Sequence, residues 1–254
     1  MRTIRALLST EATKLKHTAT LWLSAIVPVT MLTLLFIGLL NEYFQHRGLG
    51  MQQSALELWN NTLRGPWTMW TLVAAPILIA VEATGLASPE HAGKHWTQLF
   101  SLPIPRWSVF AAKAIMCALL TGASSLIFTA GAIALGLMQS ELYHLDMASG
   151  IPWGLVLRIA ARSYLASWCA IAIQTWLSLR FSGFAIPIGT ALAGTLFTGA
   201  ASQFRITGWY PWSMMADSLP WGWSHVPAPA IISPALCLLV GLLAGWQMSR
   251  REVV

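Results

Sequence analysis

Six apolar runs, about 19 to 40, 66 to 87, 108 to 138, 154 to 178, 183 to 203 and 230 to 248, take up most of this 254-residue chain. As a helix rising about 1.5 Å per residue, each can cross a hydrocarbon core roughly 30 Å thick, with allowance for tilt. Lipid offers no partner for a backbone N–H or C=O, so a chain of such runs must satisfy its backbone inside each segment, and helices do so. Charged residues make up 9% of the chain, against about 25% in ordinary soluble domains. The expected fold is all-α: a polytopic membrane protein of six transmembrane helices, one domain over residues 1–254, with no length left for a folded soluble domain.

Lysine and arginine placement gives the orientation. With the N-terminus inside, Arg2, Arg5, Lys14, Lys16, Lys94, Arg106, Lys113, Arg180, Arg250 and Arg251 fall on the cytoplasmic side, and Arg47, Arg64, Arg158, Arg162 and Arg205 outside. This asymmetry predicts both termini in the cytoplasm. It also makes a nucleic-acid partner unnecessary as an explanation of the net charge of +6. Residues 1–18 place Ile4, Leu7, Leu8 and Leu15 on one helical face and the basic residues on the rest, the pattern of a helix lying in the interface. They are too charged, and the following run too long, for a cleaved signal peptide, so the first span is expected to stay. Cys117, Cys169 and Cys237 fall singly within apolar runs, which argues against disulfides and thiolate metal sites.

Between the second and third runs lies a charged, proline-punctuated segment, the part expected to meet a soluble partner. Ser88 can cap a helix opening at Pro89, with Glu90 in its first turn. That helix is expected to end near Ser101, because Leu102 precedes the Pro103-Ile104-Pro105 run. Glu82 falls about one turn before the inner end of the second run, close enough to the interface to reach water or a lysine.

The string Glu90-x-x-Gly93-x-x-Trp96, then Leu102-Pro103-x-x-Arg106 and Lys113, resembles the cytoplasmic loop between the second and third membrane helices of type-2 ABC exporter permeases, in particular the lantibiotic-immunity and bacitracin-resistance branch. Glu11, Lys14 and Lys16 followed by Thr20-Leu21-Trp22 and Pro28 are similar to that family's amphipathic start and first helix. The resemblance implies a permease subunit of a bacterial cytoplasmic membrane exporter, paired with an identical or homologous permease and with two ATPase subunits that hold ATP and Mg. It implies a coupling loop over residues 88–106, with Glu90, Gly93, Trp96, Leu102, Pro103 and Arg106 at the ATPase. The implied cargo is an amphipathic peptide, antibiotic or lipid-like molecule.

No cofactor is expected on this chain itself. Gly93-Lys94 is followed by His95, and Ser88 stands where a phosphate loop needs glycine, so ATP must be hydrolysed on a separate polypeptide. Glu90-His91-x-x-x-His95 puts its glutamate outside the histidine pair, where a zinc protease needs it inside. A hydrolase built on His91, His95 and Glu82 would lack a nucleophile, and an ion-coupled carrier would want ionisable groups at mid-span, where these runs have no acid.

Three further features remain. Gly189, Thr190, Ala193, Gly194 and Thr198 form a small-residue face on the fifth run, suited to close packing within the chain or at a subunit interface. Trp59, Trp67, Trp70, Trp153, Trp209, Trp212, Trp221 and Trp223 are expected at or beyond the outer surface. They form either an interfacial belt or, for Trp209, Trp212, Trp221 and Trp223, a surface for cargo. Arg158 and Arg162 are expected to pair with Glu141 and Asp146, with an outward anion contact as the other reading.

Overall fold

The structure is a computed structural model describing residues 2–16, 18–45, 55–91, 105–143, 150–204, 206–223 and 229–249. Its long elements are all helical: α1 (Arg2–Leu15), α2 (Ala19–Gln45), α3 (Ala55–Met69), α4 (Ala75–His91), α5 (Arg106–Tyr143), α6 (Trp153–Arg180) and α7 (Ala185–Gln203). The short α8 (Met214–Asp217) and α9 (Pro229–Ser249) complete the chain. Six stretches are long and apolar enough to cross a membrane: 19–41, 59–91, 107–142, 153–180, 185–203 and 229–248. All six apolar runs are thus helices, and the second is much longer than its run.

That lengthening has a local cause. A π-helical turn over Trp70–Ala74 joins α3 to α4, and the Ala75 N–H reaches back five residues to the Trp70 carbonyl. Pro76 has no N–H to continue an α ladder there, and the wider turn absorbs the defect without ending the helix. Hydropathy alone places the start of this span near 66, because Glu57, Asn60, Asn61 and Arg64 dilute the preceding turns.

Those turns supply much of the core. Trp59, Leu63, Trp67 and Trp70 are all buried, none more than 2% exposed. Phe128 of α5 stacks on Trp70 with centroids 4.6 Å apart and meets Trp67 edge-on at 5.4 Å. The interfacial-belt reading is therefore corrected for Trp59, Trp67 and Trp70: one helical face turns all three into the bundle, where Phe128 packs against Trp67 and Trp70. Trp153, Trp209 and Trp223 remain about half exposed.

The lateral surface is apolar. Trp22, Ile26, Val29, Leu34, Ile37 and Phe44 of α2 are exposed, as are Leu196 of α7 and Ile231, Leu238 and Leu242 of α9. Such a surface suits contact with hydrocarbon and not with water. Where α2 does touch the bundle, Gly85 lets it come close: a β-carbon there would run into the Thr20 side chain. Met248 packs with Ala87, Phe110 and Leu179, bringing the end of α9 to the face where α4 ends, α5 begins and α1 is attached. Both ends of the described chain thus share one face of the bundle.

Candidate functional site

At that face four charged side chains are gathered into a closed ring. Lys14 Nζ lies 3.0 Å from Glu11 Oε1 and 2.8 Å from Glu90 Oε1. Lys113 Nζ lies 2.9 Å from Glu11 Oε2 and 2.8 Å from Glu90 Oε2, and donates to the Leu86 carbonyl at 2.6 Å. The Lys113–Glu90 contact is ionic without a directed hydrogen bond, since Glu90 Oε2 receives no donor in line. Two lysines and two glutamates alternate, so the ring is neutral, and it ties together α1, the end of α4 and the beginning of α5.

Local structure explains the assembly. Glu11 and Lys14 are three apart on α1 and share a face, and Leu15, one residue further on, is buried in the core. Lys113 is 1% exposed and Glu90 3%. Burying either alone would be prohibitive, and their mutual pairing makes it possible. Burial pulls the Lys14 ammonium down, but hydrogen bonds from it to Glu90 and Glu11, with their charges, outweigh this and hold its pKa above the ordinary lysine value.

This ring corrects two sequence expectations. Glu90 does not face outward on a separate loop helix; it points inward to α1 and α5. Nor does Ser88 cap a new helix, because α4 runs without a break through Ser88 and Pro89 to His91. Pro89 lies within the last turn, where its missing N–H removes a single ladder bond, to the Gly85 carbonyl, and cannot stop a helix already packed on both sides. His91 is held too: its Nε2 lies 2.8 Å from the Ser178 carbonyl near the end of α6. Gly93, His95, Trp96, Leu102 and Pro103 lie outside the described residues. Arg106 opens α5, and its side chain also lies outside them.

Further into the bundle Glu82 is fully buried and reaches no lysine, contrary to expectation. Ser24 Oγ donates to its Oε1 at 2.8 Å, Thr121 Oγ1 to its Oε2 at 2.7 Å, and Ser124 Oγ lies 3.2 Å from Oε1. The helix continues nine residues past Glu82, so the interface is farther away than the hydropathy run implied.

The remaining candidates lie along α7 and toward the opposite face. The small-residue face of α7 divides in two. Gly194 and Thr198 are buried, while Gly189 and Ala193 are exposed and Thr190 lies between, its hydroxyl turned back to the Pro187 carbonyl at 2.8 Å. A β-carbon on Gly194 would come 2.5 Å from the Trp212 ring, and the Tyr210 hydroxyl donates to the Gly194 carbonyl at 2.9 Å. Gly194 thus makes room for a loop of its own chain. Trp221 Nε1 donates to Thr68 Oγ1 at 2.9 Å, so Trp212 and Trp221 are packed while Trp209 and Trp223 are open. Arg158 and Arg162 are exposed and make no pair with Glu141; Asp146 lies outside the described residues. Between α2, α3 and α5 is a groove of about 360 Å³. It is lined by Leu34, Leu35, Gly38, Leu39, Asn61, Thr62, Gly65, Pro66, Leu135 and Gln139, with no charged side chain.

Among the described residues no cluster of histidine, cysteine or carboxylate side chains could hold a metal ion. Sequence reasoning singled out Glu90 but missed its partners as partners. The available signal was scarcity: in a chain this poor in charge, Glu11, Lys14, Glu90 and Lys113 all fall at the same ends of successive apolar runs.

A helical bundle with six membrane-length helices, an apolar flank and a charged clasp at one end defines an integral membrane protein without a catalytic constellation among its described residues. Residues 7–198 match the family of ABC-2 family transporter proteins, and the chain belongs to that family. It is accordingly a membrane component of an ABC transporter, which implies an ABC ATPase partner. No curated protein and no solved structure matches the chain.

Proposed function

We propose that this chain is the permease of an ATP-driven exporter in a bacterial cytoplasmic membrane, assembled as two permeases with two ATPase subunits that carry ATP and Mg. The ATPase docks on residues 88–106, from the last turn of α4 to the first residue of α5. The observation that carries this reading is the ring of Glu11, Lys14, Glu90 and Lys113. It clamps both ends of that segment to each other and to α1, so a push on the loop is delivered to α1, α4 and α5 together. A loop tethered at one end alone would absorb such a push.

Glu90 transmits in this scheme without touching the ATPase; Gly93, Trp96, Leu102, Pro103 and Arg106 make the contact. The cargo is an amphipathic peptide, antibiotic or lipid-like molecule. An apolar flank and an uncharged groove with amide and hydroxyl groups favour that class over a small hydrophilic ion, which would need countercharges. Trp209 and Trp223, open on the far side, are the aromatic surfaces free to meet it.

Co-purification of the chain with its ATPase, paired with measurement of cargo-stimulated ATP hydrolysis in vesicles, tests the reading. Arg106→Glu is expected to weaken association. Lys113→Met is expected to keep association and lose stimulation. Full stimulation in an Arg106→Glu, Trp96→Ala double variant would place the ATPase contact elsewhere.

A further inference from the structure

The charged ring accounts for Glu11, Lys14, Glu90 and Lys113; among the described residues Glu82 is the carboxyl buried most completely outside it. Glu82 is 0% exposed and lies among α2, α4 and α5. Every group bonded to it is an uncharged hydroxyl: Ser24 of α2, and Thr121 and Ser124 of α5.

We propose that Glu82 is a proton-binding site in the interior of the bundle, occupied in this conformation as the neutral carboxylic acid. The elements packed around it supply no charge to balance an ionised form. From α5 come Lys113, already committed to two glutamates and the Leu86 carbonyl, and the Cys117 thiol, directed at the Ile79 carbonyl. From α6 comes Tyr164, whose hydroxyl donates to the Ala118 carbonyl. On α4 itself Glu90 and His91 are engaged at its end, while α7 has no ionisable side chain and α2 contributes Ser24 alone at this level.

The hydroxyl geometry agrees with a neutral acid. Ser24 and Ser124 each have a single proton and a second acceptor in reach, the Thr20 carbonyl at 3.0 Å and the Leu120 carbonyl at 3.0 Å. A carboxylate would draw both protons to itself; an acid protonated on Oε1 donates to Ser124 Oγ, whose own proton stays on the Leu120 carbonyl, while Ser24 and Thr121 go on donating to the carboxyl. A buried anion with no countercharge takes up a proton instead of remaining ionised.

Loss of that proton, to water, requires water to reach Glu82. The element positioned to admit it is α2. Pro28 stands one turn beyond Ser24, so the Ser24 carbonyl lacks its helical donor, and the outer flank of α2 is unpacked within the chain. Proton occupancy of Glu82 and the seating of α2 are therefore linked.

Infrared difference spectroscopy of the reconstituted chain, wild type minus Glu82→Gln, tests this without any cargo or ATPase. A protonated-carboxyl C=O band at neutral pH, shifted in heavy water and absent from the variant, is expected. A difference spectrum carrying only ionised-carboxylate bands overturns the proposal. If Glu82→Gln does not assemble, Glu82→Asp keeps the acid and is expected to move the band; an unchanged band in that variant overturns the assignment equally.

Discussion

Buried ion pairs are costly to form and costlier to break, which fixes what single substitutions in the ring should do. Lys113→Met leaves Glu11 and Glu90 short of one cation in a dry site and is expected to cost about 3–5 kcal/mol. Adding Glu90→Gln to it should cost less than the sum of the two, because the second change removes a charge the first left unpaired. Thermal unfolding in detergent measures both, and strict additivity would show that the pairs are not coupled. Lys14 differs: it is partly exposed, with its pKa raised, so its contribution is full below the ordinary lysine value and fades only as pH climbs beyond that into the alkaline range. Neutral pH should leave it unchanged, and acid removes it only when Glu90 takes up a proton: burial pushes that carboxyl up, but Lys113 and Lys14 outweigh this and hold it below the ordinary carboxylate value. Among the tryptophans, Trp221→Leu loses a hydrogen bond to Thr68 and should cost about 1 kcal/mol. Trp209→Leu and Trp223→Leu should stay within about 0.5 kcal/mol, so any fall in protection against a membrane-active peptide with those two reports on cargo and not on folding.

At the level of the element, α4 and α7 each carry a feature whose meaning depends on its neighbours. Ser88 and Pro89 have the identities of a helix start, and in an isolated segment they would begin one. Here the chain before them is already helical and packed against α5 and α6, so the start signal is passed over. Ser88→Ala is then expected to change stability by less than about 0.5 kcal/mol, where a true N-cap would lose about 1. In α7, Gly194→Leu should lower the stability of the isolated chain by driving the side chain into Trp212. Gly189, with open space around it, is the position at which a leucine would test an interface between permeases without first damaging the fold. Native mass spectrometry of both variants separates the effects: dissociation with Gly189→Leu at unchanged stability marks an interface, and an intact dimer places that face toward lipid.

The whole molecule presents one charged end and one aromatic end, and under the proposed function the distribution of basic residues puts the charged end in the cytoplasm. A cysteine at position 94 should resist an impermeant reagent added outside, and one replacing the half-exposed Trp223 should react; the reverse pattern would turn the molecule over and remove the ATPase contact. The six membrane-length helices and their order were legible in the sequence, because about 20 apolar residues in a row admit one solution in lipid. The concentration of charge beside α1, α4 and α5 was legible as well, since residues such as Lys113 have few places to go in a chain so short of charge. What the tertiary structure decided was direction: which way Glu90 and the tryptophans of α3 turn, whether Ser88 starts a helix, how deep Glu82 lies, and what Gly194 makes room for. Hydropathy reports how a residue prefers lipid or water, and each of these outcomes was set by the partner on the neighbouring helix: a lysine for Glu90, Phe128 for Trp70, three hydroxyls for Glu82, an indole for Gly194. Those partners lie tens of residues away in the chain, and only packing brings them together.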